Sequence, residues 1–559
     1  MRYEENRRQH KNAVQGDSAS LSTSLAVAAG DRKESPLRPR LPGSKISIIG
    51  AGHNGLVAAL YLVEAGFEVS IFEKRDIVGG LCVTEEVMPG YKTSPGASCS
   101  GMLRKQIIER FHLEQYGLET ALFPHELVIF ADKSSITRHA SQQEPEYHIN
   151  HLLDEEIESN DTMWKELSQA AEIIEPLLLQ PPILKKEVED LLRKNQLYAI
   201  AKAIFTESWY DFIGRYVQDE RLLLENLTFT IDDPFEPGSV YRIIYGLTAS
   251  IEGVAGAWGY AKGGMGAVTQ ALARVATDRG VRIYTSSDVQ SILVTENVAR
   301  GVVLENGTVH TCDIVVSNVD PLATFSRLLT EHQLPTAFRA TVQALQATGY
   351  GAKIQFALHK LPHFLFHGSE KYTTFFGKIV LPGTLDEIQY ARHAAIAGRI
   401  PEKNFLFVTF QSYFDPSLAP ANSYLLSVEA LFVPYTIDGK AWGEQDKELF
   451  YTTVVHTLST YASDFEECIQ DWHMWTPTEF AERFHVTANS HFHLRLIPEQ
   501  LFEDRPCWGC GDYTTPVQNL YLCGAGTHPG GSVSGINGHN CAQEILKMLS
   551  IKAGGAIPP

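Results

Sequence analysis

What this sequence lacks narrows its chemistry before any motif is read. It has no run of about eighteen apolar residues, so no conventional membrane-spanning helix is expected, although peripheral membrane contact stays open. It lacks basic character. Lys and Arg number 47 against 66 Asp and Glu, a formal charge of −19, whereas a nucleic-acid partner requires a basic surface for its phosphates. It is poor in cysteine, with eight scattered over 559 residues, which excludes a disulfide scaffold and suits a reducing compartment. The single Cys-x-x-Cys, Cys507 to Cys510, lies in a Pro- and Gly-rich loop. It has no second pair to complete a zinc site and no strand-to-helix setting for a redox dithiol, so it reads as a pair of loop thiols. No Ser-His-Asp arrangement and no metal-ligand cluster stands out.

Residues 1–44 are polar, rich in Ser and charge, and end in a Pro-rich stretch. They lack the layout of a secretory signal. Arg2, Arg7, Arg8 and Lys11 hint at an organellar transit peptide, but Glu4 and Glu5 argue against it, so a disordered extension is the expectation.

What is present begins at residue 45. Residues 45–49 read as a short buried strand. Gly50, Gly52 and Gly55 follow in Gly-x-Gly-x-x-Gly spacing, then helical spacing over 56–65 that Gly66 is placed to stop, then a second apolar strand over 67–72 ending at Glu73. Each glycine has a physical task. Gly50 permits the tight turn, Gly52 lets backbone approach a pyrophosphate, and Gly55 lets helix and strand pack closely. The helix N-terminus offers N–H groups to phosphate, and Glu73 can accept hydrogen bonds from a ribose. The fingerprint alone is weak evidence. With strand, helix, second strand and acid in register it points to dinucleotide binding, and the acid suits FAD or NAD rather than NADP.

Two later stretches repeat this logic. Residues 259–266 form a glycine-rich lead into a helix over 267–278, followed by strands at 281–284, 289–294, 301–305, 308–312 and 313–317. The Asn306-Gly307 pair marks a hairpin. Near the C-terminus a strand over 519–523 runs into Gly524, Gly526, Gly530 and Gly531, and a helix is expected from about Ser532 to 550. Its N–H groups and dipole would face a flavin pyrimidine.

Glu73 to Gly80 carries the second strand into a Gly-Gly turn, and this segment resembles the amine oxidase and phytoene desaturase superfamily. Residues 524–531 resemble the C-terminal flavin motif of bacterial carotenoid desaturases. Residues 52–59, 252–260, 415–420 and 439–445 resemble the phytoene desaturase-like subgroup called pyridine nucleotide-disulfide oxidoreductase domain-containing protein 2, over roughly residues 45–548. The resemblance implies an α/β fold with a Rossmann-like FAD-binding domain of the amine oxidase type, assembled from discontinuous segments, beside an α+β substrate domain. The expected division is 1–44 extension, 45–140 first FAD segment, 141–250 mostly helical substrate segment, 251–325 second FAD segment, 326–500 second substrate segment, 501–550 last FAD segment and 551–559 tail. The resemblance also puts Arg75 near the pyrophosphate, Gly79 and Gly80 beside the ribityl chain, and the Val289 backbone on the adenine. The candidate FAD set is completed by Gly50, Gly52, His53, Asn54, Gly55, Glu73, Lys74, Gly524, Gly526, Gly530, Gly531 and Ser532. One departure concerns the subgroup's name: a flavin disulfide reductase needs two neighbouring cysteines facing the flavin, and Cys82 stands alone.

The segments between the flavin motifs are aromatic and aliphatic. Helices are expected from Leu191 onward, over 198–213 and over 221–227, and their Phe205, Trp209, Tyr210 and Phe212 are either ordinary core or the wall of an apolar tunnel. Strand-like runs at 352–358, 404–411 and 424–433 would roof the flavin. Three residues are weak catalytic candidates. Lys353, in an apolar strand, sits either buried near flavin or on a solvated edge. His528 tunes the flavin or is part of the Pro529 turn, the second being favoured. Tyr260, with Trp258, could line the cavity where substrate meets flavin.

The expected activity is two-electron transfer between flavin and a small, apolar organic substrate, with an unidentified electron acceptor. The rivals are a carotenoid desaturase or isomerase, and a flavin-bound interaction protein. The expected location is the cytoplasm or, by the resemblance, the mitochondrial matrix, where a protein partner would be possible.

Overall fold

A computed structural model describes residues 43–139, 145–230, 232–369 and 377–553. The expected disordered extension lies almost wholly outside them, as does most of the tail beyond residue 550.

One sheet has five parallel strands in the order Arg282–Tyr284, Glu68–Phe72, Lys45–Ile49, Ile314–Ser317 and Leu520–Leu522. Three stretches of chain far apart in sequence therefore build it. Both its faces are covered, which explains why its strands read as nearly unbroken apolar runs. Ile46, Ile48, Val69, Ile71, Ile314 and Val316 point to one side, into a core with the helix His53–Glu64, the helix Gly266–Asp278 and the helix Ile536–Ala553. Their alternate neighbours Ile49, Phe72, Val315, Leu520 and Leu522 point to the other. There they meet Val289, Ile292 and Val302 of a small antiparallel sheet made of Val289–Thr295, Val298–Leu304 and Val309–Thr311. The chain leaves the central strand Lys45–Ile49 toward one edge and returns on its other side at Ile314–Ser317, so a crevice opens at the carboxyl ends of these two strands.

The second sheet is eight-stranded and mixed. Its order is Ile469–Trp475, Gly351–Leu358, Tyr424–Leu431, Leu406–Phe410, Lys378–Leu381, His125–Ile129, Ser135–His139 and Glu146–His148. The strands at 125–139 thus join this sheet, although their sequence position put them at the end of the first FAD segment. Residues 154–247 are mostly helical and pack, with strands of the eight-stranded sheet, around one large core.

Two sequence expectations about this region are corrected, and one open alternative is decided. The helix expected from Leu191 onward is Lys185–Lys194 and closes there. The stretch 198–213 is two helices, Tyr198–Ala203 and Trp209–Ile213. The Ser208 hydroxyl caps the second, accepting a hydrogen bond from the Asp211 N–H and so breaking the run. Phe205, Trp209 and Phe212 are buried in the helical core and Tyr210 packs on Phe235; none of the four borders the main cavity. No helix among the described residues is long and apolar enough to cross a membrane.

Candidate functional site

A cavity of about 570 Å³ starts at the crevice of the five-stranded sheet and continues under the eight-stranded one. Its first end is the glycine turn. Gly50 leaves the strand with φ +93, its N–H donating to Phe72 O at 2.8 Å. The helix His53–Glu64 starts at Gly52 with no side-chain cap and no acid in its first turn, so its leading N–H groups face the cavity without a competing acceptor. Gly79 bridges to Gly52, donating to Ala51 O at 3.0 Å, and Gly80 lies opposite Gly52. Gly52, Gly79 and Gly80 border the cavity together and leave a bare backbone cradle. Gly55 does not border it. A Cβ there would run into the Gly50 carbonyl, so this glycine serves helix–strand packing.

Beside the cradle, the buried Glu73 carboxylate accepts from the Ala51 N–H at 2.7 Å and from the Arg75 N–H at 3.0 Å. Burial pushes its pKa up, against the pull of these two N–H groups and of Arg75. Lys74 pairs with Asp288 at 3.0 Å, Arg75 pairs with Glu85, and Val289 lies next along the wall.

The first motif fits an extended dinucleotide because it contains polar atoms waiting for a partner. His53 Nε2, Asn54 Oδ1 and Arg75 Nη1 are buried without one. His53 is held neutral: burial, aided by His493, lowers its pKa to about 4. The cradle, the uncapped helix end and Arg75 would hold a pyrophosphate, and Glu73 a ribose.

Sequence reasoning missed Asn318. It follows the strand Ile314–Ser317, borders the cavity, and donates from Nδ2 to Gly50 O at 3.2 Å. A Cβ on Gly52 would come within 3.0 Å of that amide. Its position at the carboxyl end of a parallel strand was the available signal.

The C-terminal motif is placed differently from expectation. Its helix begins at Ile536, four residues late, and the Ser534 hydroxyl accepts from the Ile536 N–H at 3.2 Å, so this helix end is capped by protein. Gly524, Gly526, Gly530 and Gly531 do not border the cavity. Each instead permits close approach to protein. An added Cβ would meet Asn318 O at 2.8 Å for Gly524, the Pro321 ring for Gly526, Leu496 at 3.0 Å for Gly530 and the Phe492 ring for Gly531. Ala525, Ser532 and Val533 carry this segment to the cavity wall. Arg505, fully buried, ties the loop down by donating to the carbonyls of Thr527, Ala525, Gln500, Phe492 and Arg495.

The three catalytic candidates separate clearly. His528 is fully buried away from the cavity, against Phe502, and burial together with Arg505 lowers its pKa to about 3, so the turn reading is the one observed. Tyr260 packs between Phe123 and Phe414 and does not border the cavity, whereas Trp258 does. Lys353 is no edge residue: its strand is interior to the sheet and its side chain is 7% exposed. Its ammonium donates to Gly96 O at 2.5 Å and Ser98 Oγ at 2.6 Å and pairs with Glu429, its cross-strand partner, at 3.6 Å. Gly96, Ser98 and Glu429 all border the cavity, so Lys353 supports its wall from behind.

The far end of the cavity is more polar than the sequence suggested. Glu126, Arg138, Arg242, Lys378, Glu429 and His491 face it, among the rings of Phe123, Phe229, Trp258, Phe407 and Phe492. Cys99 lies in the same wall as a thiol whose pKa burial raises. Cys82 is buried, donates to Met265 O at 3.1 Å and has its pKa pushed up to about 12, as a structural thiol would. Cys507 and Cys510 are also buried, in a turn closed by the Cys510 N–H to Cys507 O bond of 3.1 Å.

The family model for flavin containing amine oxidoreductases matches residues 55–546. The chain belongs to this family. Membership makes it a flavin-dependent oxidoreductase of the amine oxidase fold acting on small molecules. It is 30% identical to the Mus musculus pyridine nucleotide-disulfide oxidoreductase domain-containing protein 2, over 90% of this chain and 93% of the relative. It is 27% identical to a zeta-carotene-forming phytoene desaturase from Myxococcus xanthus, over 87% and 90% of the two chains. A cyclohexylamine oxidase from Brevibacterium oxydans shares the fold, with a TM-score of 0.56, 18% identity, and coverage of 92% of this chain and 100% of that one. The expected family and fold class therefore hold.

Proposed function

We propose that the cavity holds FAD and that the chain is an FAD-dependent oxidoreductase transferring two electrons between a small organic substrate and the flavin. One observation carries the reading. A single cavity is lined by a ribose-type carboxylate at Glu73, by the bare Gly52, Gly79 and Gly80 backbone, and by the rings of Trp258, Phe229 and Phe492. Those are the kinds of group that adenosine, pyrophosphate and flavin ring require. When bound, the flavin supplies the electron chemistry. The chain supplies orientation and a water-poor chamber.

Arg75, His53 and Asn54 would satisfy the phosphates with their unpartnered polar atoms, and Val289 would border the adenine. Lys353 acts as a positioning residue, holding Glu429 and the backbone of Gly96 in the chamber wall. The test is an absorbance spectrum of the purified protein with identification of the chromophore released by acid. Released FAD supports the reading. A protein without flavin bands that takes up no added FAD overturns it.

A second reading, desaturation of a carotenoid, is favoured by the likeness to phytoene desaturases. Arg242 in the far wall weighs against it, because a pure hydrocarbon would leave this buried guanidinium desolvated and without a partner. An unchanged polyene pattern in a carotenoid-producing host expressing this chain would dispose of it.

A further inference from the structure

The cations around the aromatic end of the cavity are not equally provided for. Lys378 pairs with Glu126. Arg138 pairs with Glu225 and lies 3.9 Å from Glu126. Lys353, behind the wall, has Glu429. Each of these positive charges has a carboxylate of the protein to answer it.

Arg242 has none. Its side chain borders the cavity and is only 6% exposed, yet it makes no hydrogen bond and no ion pair with any described residue, and its Nε is buried without a partner. Asp232 influences it from beyond ion-pair distance. Such a group is costly, since a buried guanidinium left unanswered loses its hydration without gaining a partner.

Its surroundings do not treat it as an accident. The helix Ser239–Leu247 that carries it is fixed on both sides of Arg242. Tyr241 donates to Pro529 O at 3.1 Å and Tyr245 to Gly531 O at 3.0 Å. The guanidinium lies over the Phe492 ring, 5.2 Å from its centroid, a contact that uses none of its N–H donors. Arg505 gives the contrast. It too is buried, but backbone carbonyls occupy its guanidinium, as expected of a structural arginine.

We infer that Arg242 is the anchor for an anionic group on the substrate, a carboxylate, and that the substrate is an organic acid with an apolar or aromatic body rather than a hydrocarbon. The inference rests on the flavoenzyme reading and names the substrate class of that site. A carboxylate matches the planar fork of the guanidinium, and Phe229, Trp258 and Phe492 offer ring faces to the remainder of the molecule. Binding would supply the negative charge that the protein gives to the other cations but withholds here.

The test is isothermal titration of the purified, flavin-loaded protein with 3-phenylpropanoate and with its uncharged counterpart 3-phenylpropanamide. The carboxylate should bind about tenfold or more tightly than the amide, the order of one charge-assisted hydrogen-bonded contact. Arg242→Met should remove that preference while keeping the flavin content, and Arg242→Lys should keep part of it. Should Arg242→Met not fold, Arg242→Gln replaces it. Equal binding of acid and amide, binding of neither, or an undiminished preference in the variants overturns the inference. So does a variant whose flavin reduction potential moves while the carboxylate preference stays, because the guanidinium would then serve the flavin. If the protein proves to hold no flavin, the same titration on the flavin-free chain still reads the carboxylate preference, so the two readings fail separately.

Discussion

Gly79 and Gly80 stand side by side in the turn, yet replacing each by Ala should do opposite things. Gly79 has φ +129, a region that side-chain-bearing residues rarely enter, and a Cβ there would lie 2.6 Å from Cys82 O and 2.9 Å from Thr269 Oγ1. The Cys82 carbonyl is backbone and accepts the Thr269 hydroxyl, so it cannot swing aside. The backbone strain costs about 1–3 kcal/mol and the overpacking about 1–3 kcal/mol more, so Gly79→Ala should destabilise the chain by about 2–6 kcal/mol. Gly80 has φ +57, the left-handed basin, and a Cβ there has only Gly52 Cα near it, at 3.6 Å. The conformational cost is about 1 kcal/mol, but the methyl would stand between the two glycines of the cradle. Gly80→Ala should therefore fold with a modest loss of stability and bind flavin weakly. Gly307, with φ +81 and nothing within 4 Å of an added Cβ, supplies the control for positive φ alone. Thermal unfolding of the flavin-free protein and flavin bound per chain at a fixed FAD concentration separate the two effects. A Gly79→Ala protein as stable as Gly307→Ala would refute the steric argument. A Gly80→Ala protein with full flavin affinity would refute the assignment of the cradle.

Other outcomes follow from buried groups. Lys353→Met should lose about 3–5 kcal/mol in a melt by stranding Glu429, and Glu429→Leu on top of it should recover much of the loss; equal damage in the double variant would show that the pair is not the cause. His528 and His53 have pKa values lowered to about 3 and about 4 from 6.5, so the unfolded chain binds more protons than the folded one below pH 6.5. Their stabilising contribution is complete above 6.5 and drains as pH falls toward 4 and then 3, and His528→Asn should flatten that slope in urea unfolding measured across the range. Cys507 and Cys510 should resist a thiol reagent in the native protein and react after denaturation; rapid native labelling would reopen the question of a functional pair.

Much of this molecule was legible in the sequence because its signals are local. The strand Lys45–Ile49, the uncapped turn at Gly52, the helix behind it and Glu73 all sit within one short stretch of chain, where glycine spacing and apolar periodicity define both shape and chemistry. The hairpin at Asn306-Gly307 and the strands Gly351–Leu358 and Tyr424–Leu431 were readable for the same reason. What the sequence could not decide were relations between distant segments. Only packing shows that Gly524, Gly526, Gly530 and Gly531 lie tightly against Asn318, Pro321, Leu496 and Phe492, since a glycine looks the same whichever neighbour it admits. Only register across two strands puts Lys353 opposite Glu429 and turns an odd residue in an apolar run into a buried ion pair. Phe212 and Phe229 are equally aromatic in sequence, and one is core while the other faces the cavity. Arg242 carries no motif at all; its meaning comes from the carboxylates that the fold brings to its neighbours and not to it.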